Sequence, residues 1–309
     1  MVLTFSVITP SYQQDKFIEK TIKSVLSQGV SDIDYVICDG GSNDKTLSIL
    51  ERHSSSLRWV SEPDRGQAHA INKGLAMTQG DIIAWINSDD VYYPQALIQV
   101  LKFFEMNPSV SAVYGQADWI DEFDNIIAPY PTQSWNYKQL TRECYLCQPA
   151  VFFRRNLVER LGTLNADLEY CMDYELWLRY GQTVSFAYLP IKLAGSRIYS
   201  TNKTFGNRLA AHREANEMLY EKIGYSTRHW IFEYSKLEIE SDGSLEKLSL
   251  IWVVKFLITA IKKCWKFNRW AVPIVALKVL TYPAMLSSKR LRYRSFDVEG
   301  AISKQRDRA

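Results

Sequence analysis

Two adjacent carboxylates, Asp89 and Asp90, lie in the run Gly80-Asp-Ile-Ile-Ala-Trp-Ile-Asn-Ser-Asp-Asp-Val-Tyr-Tyr-Pro94. The apolar residues Ile82 to Ile86 stand directly ahead of the polar cluster Asn87 to Asp90. A short apolar run bounded by polar turn residues predicts a strand buried on both faces, of the kind found in parallel sheets. Ligands of open α/β sheets collect outside the carboxyl ends of the strands, so the acidic pair is placed to hold a cation and, through it, phosphate oxygens. The same residues also fit a plainer part, in which Ser88 and the aspartates cap a helix begun by Pro94.

The elements before this run must present it. Thr4 to Thr9 predicts a first strand, and after Pro10-Ser-Tyr-Gln comes a helix with Phe17, Ile18, Ile22, Val25 and Leu26 at helical spacing. Asp34 to Asp39 predicts a second strand, and Gly40-Gly-Ser-Asn-Asp44 supplies a turn and caps for a helix from Thr46 to Arg52. Leu57 to Ser61 is a third strand; Glu62-Pro-Asp-Arg-Gly-Gln67 leads into a helix from about Ala68 to Met77, closed by Gly80. This alternation predicts successive βαβ units in a right-handed doubly wound sheet. The polar stretches after the strands, Thr9 to Tyr12, Asp39 to Asp44, Pro63 to Gln67 and Asn87 to Asp90, then converge on one edge. Neither a Gly-x-Gly-x-x-Gly fingerprint nor a Walker-type Gly-Lys-Ser/Thr loop occurs, which weighs against a dinucleotide oxidoreductase or a P-loop enzyme.

Beyond Pro94 a helix from Gln95 to Met106 leads to a strand at Ala112 to Tyr114. Residues 115 to 150 read as an irregular aromatic insertion that builds a substrate wall, with Trp119, Trp135 and Tyr145 as contacts. Cys147 to Phe153 predicts a strand. A helix begins within Leu168 to Arg179, its residues Trp177 and Leu178 in the core and Asp173 near its N-terminus, where the helix dipole favours a carboxylate.

The 309 residues, 47% of them apolar, suffice for one large domain or a domain with an appendage. Five scattered cysteines and no secretory signal ahead of the first strand favour a reducing cytosol. Cys144-x-x-Cys147 has half the spacing of a zinc site but no second pair, and reads as incidental. The charge is uneven: from Lys247 onward there are 14 Lys and Arg against 3 Asp and Glu, while residues 1 to 246 hold 23 against 31. A basic tail of this kind meets an anionic surface, a membrane or a nucleic acid, and no nucleic-acid recognition motif accompanies it. Residues 247 to 269 put Lys255, Thr259, Lys262, Lys266 and Arg269 on one helical face, with Val254, Phe256, Leu257, Ile258, Ile261, Trp265 and Phe267 on the others. A second apolar run, Trp270 to Leu286, is interrupted by Pro273, Lys278 and Pro283 and falls short of the ~20 clean residues of a spanning helix. The tail is expected to lie on the membrane, aided by Lys289, Arg290, Arg292 and Arg294.

Five stretches in this order, Ser6 to Tyr12, Asp39 to Thr46, Asp64 to Gly74, Trp85 to Asp90 and Tyr170 to Arg179, resemble the family 2 glycosyltransferases. The resemblance covers about residues 1 to 225 and implies a GT-A, Rossmann-like catalytic domain, a mixed and mainly parallel sheet flanked by helices. Residues 226 to 309 then form a helical, basic, membrane-associated extension. The resemblance implies that Thr9, Pro10 and Tyr12 line the base pocket, that Asp39 meets the base or ribose, and that Asp64, Arg65 and Gln67 lie near the nucleotide. Asn87-Ser88-Asp89 occupies the place of the family's Asp-x-Asp motif, a site for Mg²⁺ or Mn²⁺ on the diphosphate. Asn87 stands where Asp is usual, which leaves Asp89 as the principal ligand with Asp90 in support. Asp173 falls on the family's catalytic base; Met172 replaces its usual acidic neighbour and removes a source of like-charge repulsion. Tyr199 stands roughly where a loop histidine is often found.

These residues imply inverting transfer of a sugar from a nucleotide diphosphate sugar to an acceptor hydroxyl. The acceptor is expected to be a glycan or a lipid-linked glycan in bacterial surface-polysaccharide assembly, met at the inner face of the cell membrane by a cytoplasmic, peripherally bound protein. Base assistance of this kind contributes roughly 10² to 10⁴ in rate. A nucleotidyltransferase would follow the first strand with a Gly-rich loop and a basic residue, and Pro10-Ser-Tyr12 is neither. A membrane-tethered nucleotide-sugar or glycan-binding module without activity is the other alternative, since Asn87 and Met172 depart from the catalytic pattern.

Overall fold

The computed structural model describes residues 3–241 and 249–268, which fall into two compact units. The first comprises residues up to Tyr137 together with Tyr145–Ile198; the second comprises Lys138–Cys144 and the residues from Tyr199 on. Residues 199–225, grouped with the catalytic part in the sequence reading, thus go with the helices that follow.

In the first unit β1 (Phe5–Ser11), α1 (Ile18–Leu26), β2 (Ile33–Asp39), α2 (Thr46–Arg52), β3 (Arg58–Ser61), α3 (Gln67–Met77) and β4 (Ile82–Trp85) alternate as expected. Their strands pair in parallel in the order β3-β2-β1-β4. Alternate residues divide the two faces. Phe5, Val7, Tyr35, Ile37, Ile82 and Ala84 share a core with Ile18, Ile22 and Val25 of α1. Ile8 points the other way and meets α3 at Gly74, where an added Cβ would lie 2.5 Å from Ile8 Cγ2. Both faces of these strands are therefore covered, and the apolar run ahead of Asn87 is buried along its whole length.

After β4 come β5 (Val91–Tyr92), α4 (Ala96–Met106), β6 (Ala112–Ile120), β7 (Ile126–Pro129), α5 (Tyr137–Leu140), β8 (Val151–Arg154), α6 (Arg155–Leu161), α7 (Met172–Gly181) and β9 (Ala187–Arg197). The described residues form one sheet with the path β3-β2-β1-β4-β8-β6-β9-β5 and β7 on β6. Four of its eight pairings are parallel and four antiparallel, and the parallel ones are the longer, so the sheet is mixed and, by paired length, mainly parallel. The crossovers through α1, α2 and α3 give parallel neighbours; the β6–β7 hairpin and the return strand β8 give antiparallel ones, and β9, reached through α6 and α7, lies parallel to β6 again.

Three local expectations change. The α3 helix ends at Met77, and Gly80 instead admits the β1 backbone, since a Cβ there would stand 2.4 Å from the carbonyl carbon of Phe5. Residues 115–150 are not an irregular wall throughout, because Gly115 to Ile120 continue β6. Tyr145 is buried, its hydroxyl accepting from the Asn136 amide at 2.8 Å, and Trp135 stacks on Phe186 with 4.6 Å between centroids. These two rings are structural. Trp177 and Leu178 are buried, as the sequence predicts.

The second unit holds α8 (Lys203–Gly206), α9 (Arg208–Ile223), α10 (Arg228–Glu240) and α11 (Leu250–Phe267). Gly224 ends α9 in the left-handed conformation that glycine adopts without cost (φ 80°). Trp252, Phe256, Ala260, Cys264 and Phe267 of α11 pack with Ile231, Phe232 and Ile239 of α10. Phe256 and Phe267, expected on an outward apolar face, are therefore core residues. No helix among the described residues is long and apolar enough to cross a membrane. Arg269, the run Trp270 to Leu286 and the basic residues Lys289 to Arg294 lie outside the described residues.

His212 sits within α9, where its Nδ1–H donates to Arg208 O at 2.8 Å and its ring lies 5.5 Å from that of Trp230. Burial pushes its pKa down to about 4, against the opposing pull of that hydrogen bond. A base whose folded pKa is depressed stabilises the fold above its unfolded pKa and loses that contribution as pH falls through the folded value. The helical signal of the second unit should hold its stability above about pH 6.5 and lose up to about 3 kcal/mol between pH 6.5 and 4. Urea denaturation followed by circular dichroism checks this, and His212→Asn should flatten the dependence.

Candidate active site

The carboxyl ends of β1 and β2 are sewn together by the turn that follows β2. Gly40 N donates to Ser11 O at 2.8 Å. The Asp39 carboxylate, fully buried, accepts from Gly41 N (3.0 Å), Ser42 N (2.8 Å), Ser42 Oγ (2.6 Å) and Ser61 Oγ (2.7 Å). The amides of Gln13, Gln14 and Asp15 donate in turn to Ser42 Oγ, Thr46 Oγ1 and Asp44 Oδ2. The stretch Asp39 to Thr46 is thus a set of acceptors for two backbone loops, and Asp39 is its hub.

Gly40 is closely covered by two side chains. A Cβ there would stand 2.9 Å from Asp64 Oδ2 and 3.4 Å from Tyr12 Cδ2, so Tyr12 and Asp64 both lie against its backbone. Tyr12 is 58% exposed, and Asp64 holds its own loop by accepting from Gly66 N at 2.8 Å. Arg65 is exposed beside it. Thr9 and Pro10, expected to line the same pocket, are buried, and Thr9 Oγ1 shares a hydrogen bond with Tyr35 Oη at 3.1 Å. Ser11, which sequence reasoning passed over, puts a buried hydroxyl at this edge with no hydrogen-bond partner among the described residues.

The loop after β4 is held from beneath. The single Thr21 Oγ1 proton is shared between Ser88 O (2.9 Å) and Asp90 O (2.7 Å), and Arg197 Nε donates to Asp89 O (2.6 Å). Gln67 Nε2 donates to Asn87 Oδ1 at 2.6 Å, which ties the first turn of α3 to the loop. Ser88 and Asp90 are buried, while Asp89 is half-buried. Asp90 Oδ1 accepts from Arg197 N at 2.8 Å, and Asp90 Oδ2 accepts a long 3.4 Å bond from Asn87 Nδ2. Burial, and after it the charge of Asp89, hold the Asp90 carboxyl well above the usual carboxylate range. Asp90 is therefore built into the loop as a brace. No group of three His, Cys, Asp or Glu side chains suited to a metal ion occurs among the described residues. The donor set is one partly accessible carboxylate, and Mg²⁺ sites that rely on substrate phosphates and water need only one or two.

Asp173 lies in the first turn of α7, its Oδ1 accepting from Tyr174 N at 2.7 Å. The direction of α7 follows from its rings. Tyr180 lies 5.6 Å from Phe153, the strand partner of Ile83, and Trp177 touches both Phe153 (6.1 Å) and Trp85 (5.3 Å, stacked). Moving back along α7 thus moves forward along β4. Asp173, one turn before Trp177 on the same helical face, is carried to the edge where β4 ends. The other acidic residue of that turn, Glu175, is buried and bound by Arg179 through both oxygens (3.0 and 2.9 Å).

Thr21 and Arg197 were missed by motif reading. Thr21 falls in the apolar stripe of α1 beside Ile18 and Ile22, and a hydroxyl in a buried stripe is a readable sign of a polar partner. Arg197 gave none, since it ends a strand that the sequence did not reveal.

A family model described as glycosyl transferase family 2 matches residues 6–162. Chondroitin synthase from Escherichia coli is 26% identical over 216 residues, which cover 68% of this chain and 31% of that protein. The chain spans less than a third of the length of this curated relative. S. aureus TarS 1-349, solved in complex with UDP-GlcNAc, superposes with a TM-score of 0.61 at 14% identity, covering 94% of this chain and 92% of that one. The mannosyltransferase PcManGT from Pyrobaculum calidifontis, solved with GDP-Man and Mn²⁺, gives 0.51 at 16% identity, covering 99% and 80%. These likenesses show a fold of the GT-A type.

The bonding of the two aspartates beside Gly40 predicts unequal costs. Asp39→Asn turns amide hydrogens toward a cluster of donors and should destabilise the chain by about 2 kcal/mol or more, whereas Asp64→Asn should cost less than about 1 kcal/mol. Urea denaturation of both variants distinguishes them, and equal costs would remove Asp39 from its place as hub.

Proposed function

We propose, from the premise that this chain belongs to glycosyl transferase family 2, that it transfers a sugar from a nucleotide diphosphate sugar to a hydroxyl group of a glycan, with inversion at the anomeric carbon. The observation that carries this reading is convergence. Tyr12, Gly40 and Asp64 lie with the loop bearing Asp89 at the carboxyl ends of β1, β2 and β4, where open α/β sheets bind ligands, and the ring contacts of α7 direct its first turn, with Asp173, toward the same edge.

The exposed ring of Tyr12 and the partly open carboxylate of Asp64 suit a flat heterocycle, the ring by stacking and the carboxylate as an acceptor. Asp39, Thr9 and Pro10 act there by shaping the floor, Arg65 and Gln67 at its margin. A divalent ion, Mg²⁺ or Mn²⁺, would supply positive charge against the leaving diphosphate when bound. Asp89 is the residue to hold it, on a backbone fixed by Thr21 and Arg197, with Asn87 and Ser88 beside it and Asp90 as brace. Asp173 takes the proton from the acceptor hydroxyl as that oxygen attacks from the face opposite the departing diphosphate. The UDP-GlcNAc held by TarS supports a nucleotide-sugar donor, and the chondroitin synthase relative a polysaccharide acceptor.

A membrane periphery is the second part of the reading. Ile251, Val254, Ile258 and Trp265, between 46% and 62% exposed, follow one another at helical spacing along α11, with Lys255, Lys262 and Lys266 exposed beside them. A stripe of apolar side chains flanked by lysines suits the interface of an anionic leaflet. The inner face of the cell membrane is such a surface, and a lipid-linked acceptor would be found there.

Asp173→Asn should lower the rate of transfer by at least about 100-fold while leaving nucleotide binding near its original strength. Asp89→Ala should abolish the part of nucleotide binding that depends on Mn²⁺. Calorimetry with UDP and GDP, beside release of nucleotide from a panel of nucleotide sugars, makes both measurements; equal loss of binding and rate in Asp173→Asn would deny it the base role. For the membrane, co-sedimentation of the full chain with phosphatidylglycerol vesicles should fall several-fold in Ile258→Glu and Trp265→Glu, and again as salt is raised. Unaltered sedimentation of both would dismiss this face.

A further inference from the structure

We propose that Arg197 is the positioning residue for Asp89, fixing the backbone from which that carboxylate projects; this rests on the transferase reading given above. Arg197 is 107 residues beyond Asp90 in sequence, yet its main-chain N and its guanidinium both serve the loop after β4. Nε donates to Asp89 O (2.6 Å), Nη1 to Asp121 O (2.5 Å) and Nη2 to Asp124 Oδ1 (2.6 Å), while the guanidinium carbon lies 4.8 Å from the centre of the Phe17 ring. The residue is 1% exposed. Burying a guanidinium is costly, and it is repaid only when its donors are well matched. Two of these partners are peptide carbonyls, which hold chain geometry rather than balance charge.

The far side of this clamp is itself anchored. The turn at Asp121 to Asn125 closes on its own aspartate, with Phe123 N and Asn125 N donating to Asp121 Oδ1. It is tied to α1 by the ion pair of Lys20 with Asp124, and to the residues just before that helix by the ion pair of Lys16 with Glu122. The same helix supplies Thr21 to the carbonyls of Ser88 and Asp90, and Phe17, just before it, to the face of the guanidinium. The carbonyls of Ser88, Asp89 and Asp90 are thus all captured, the outer two by Thr21 and the middle one by Arg197. A lysine could keep the charge of Arg197, but not a planar fork that spans Asp89 O, Asp121 O and Asp124 together. Without the fork the Asp89 peptide is held on its two sides only, and displacements of about 1 Å at such sites cost on the order of 10²-fold in rate.

The test uses the full chain, with UDP or GDP as nucleotide and Mn²⁺ as ion. In Arg197→Lys, Mn²⁺ binding in the presence of nucleotide, read from loss of the free-ion electron paramagnetic resonance signal, should weaken by about tenfold. Over the same change kcat should fall by about 30-fold or more, and nucleotide binding in EDTA should not move. Asp124→Asn withdraws the charge of the distant, partly exposed anchor while leaving an oxygen to accept from Arg197, and should shift both quantities in the same direction by a few-fold. If Arg197→Lys does not fold, Asp124→Asn decides. A lowered melting temperature with Mn²⁺ affinity and kcat unaltered in the folded protein would overturn the proposal and leave the transferase reading intact. An unsubstituted chain that shows no Mn²⁺-dependent nucleotide binding would overturn both.

Discussion

The peptide carbonyls of Ser88, Asp89 and Asp90 must find donors in a place where no strand supplies them. β4 ends at Trp85, β5 begins at Val91, and between them the chain crosses the sheet edge with Ser88 and Asp90 buried. Buried main-chain carbonyls left without donors are costly, so a loop in this position exists only where side chains reach it. Thr21 and Arg197 do so from two elements far apart in sequence. Much else in the first unit follows from that requirement. α1 must lie against the loop to bring Thr21; β9 must run to the same edge to bring Arg197; and the Asp121 to Asn125 turn must close over the guanidinium to occupy its remaining donors.

Four aspartates at this edge share a residue type and differ in how their oxygens are used. Asp39 accepts from four donors and shapes a turn. Asp90 accepts from a main-chain amide in a buried site that disfavours its charge. Asp64 accepts from its own loop and is partly open. Asp89 is half-buried on a backbone clamped through its carbonyl. Burial and donor number thus sort carboxylates that a motif presents as equivalent into those that hold the chain and those placed to meet a ligand. Asp124 shows the same balance on the surface: burial opposes its ionisation, and the hydrogen bonds of Lys20 and Arg197 together outweigh it and keep its carboxyl below the usual range.

Much of the first hundred residues was legible because βαβ units write their period plainly. The strand before Asn87, the helix at Thr46 to Arg52 and the convergence of the loops all follow from apolar runs and turn residues. β9 was not legible. Pro190 interrupts it, and the register with β6 slips between Gly115 and Gln116, the irregularity at which Pro190 is accommodated. β6 was read as three residues because its continuation is largely buried on both faces, which erases the alternation that marks a strand. Arg197 shared the fate of β9. Nothing local distinguishes an arginine that will be buried from one that will be solvated, and its partners lie 73 to 108 residues away.

The helix α11 shows why composition found a helix and misjudged its apolar face. It carries two apolar stripes, and the larger, with Trp252, Phe256, Ala260, Cys264 and Phe267, is satisfied inside the unit against α10. Lys263 is drawn to that side, paired with Glu238 and lying over the Tyr234 ring, so one of its lysines serves folding. What remains outward is a narrower stripe, from Ile251 to Trp265, beside Lys255, Lys262 and Lys266. A helix whose inner face is already packed needs no lipid to fold, so contact with a bilayer through the outer stripe would be reversible, set by a few apolar side chains and by charges that salt screens.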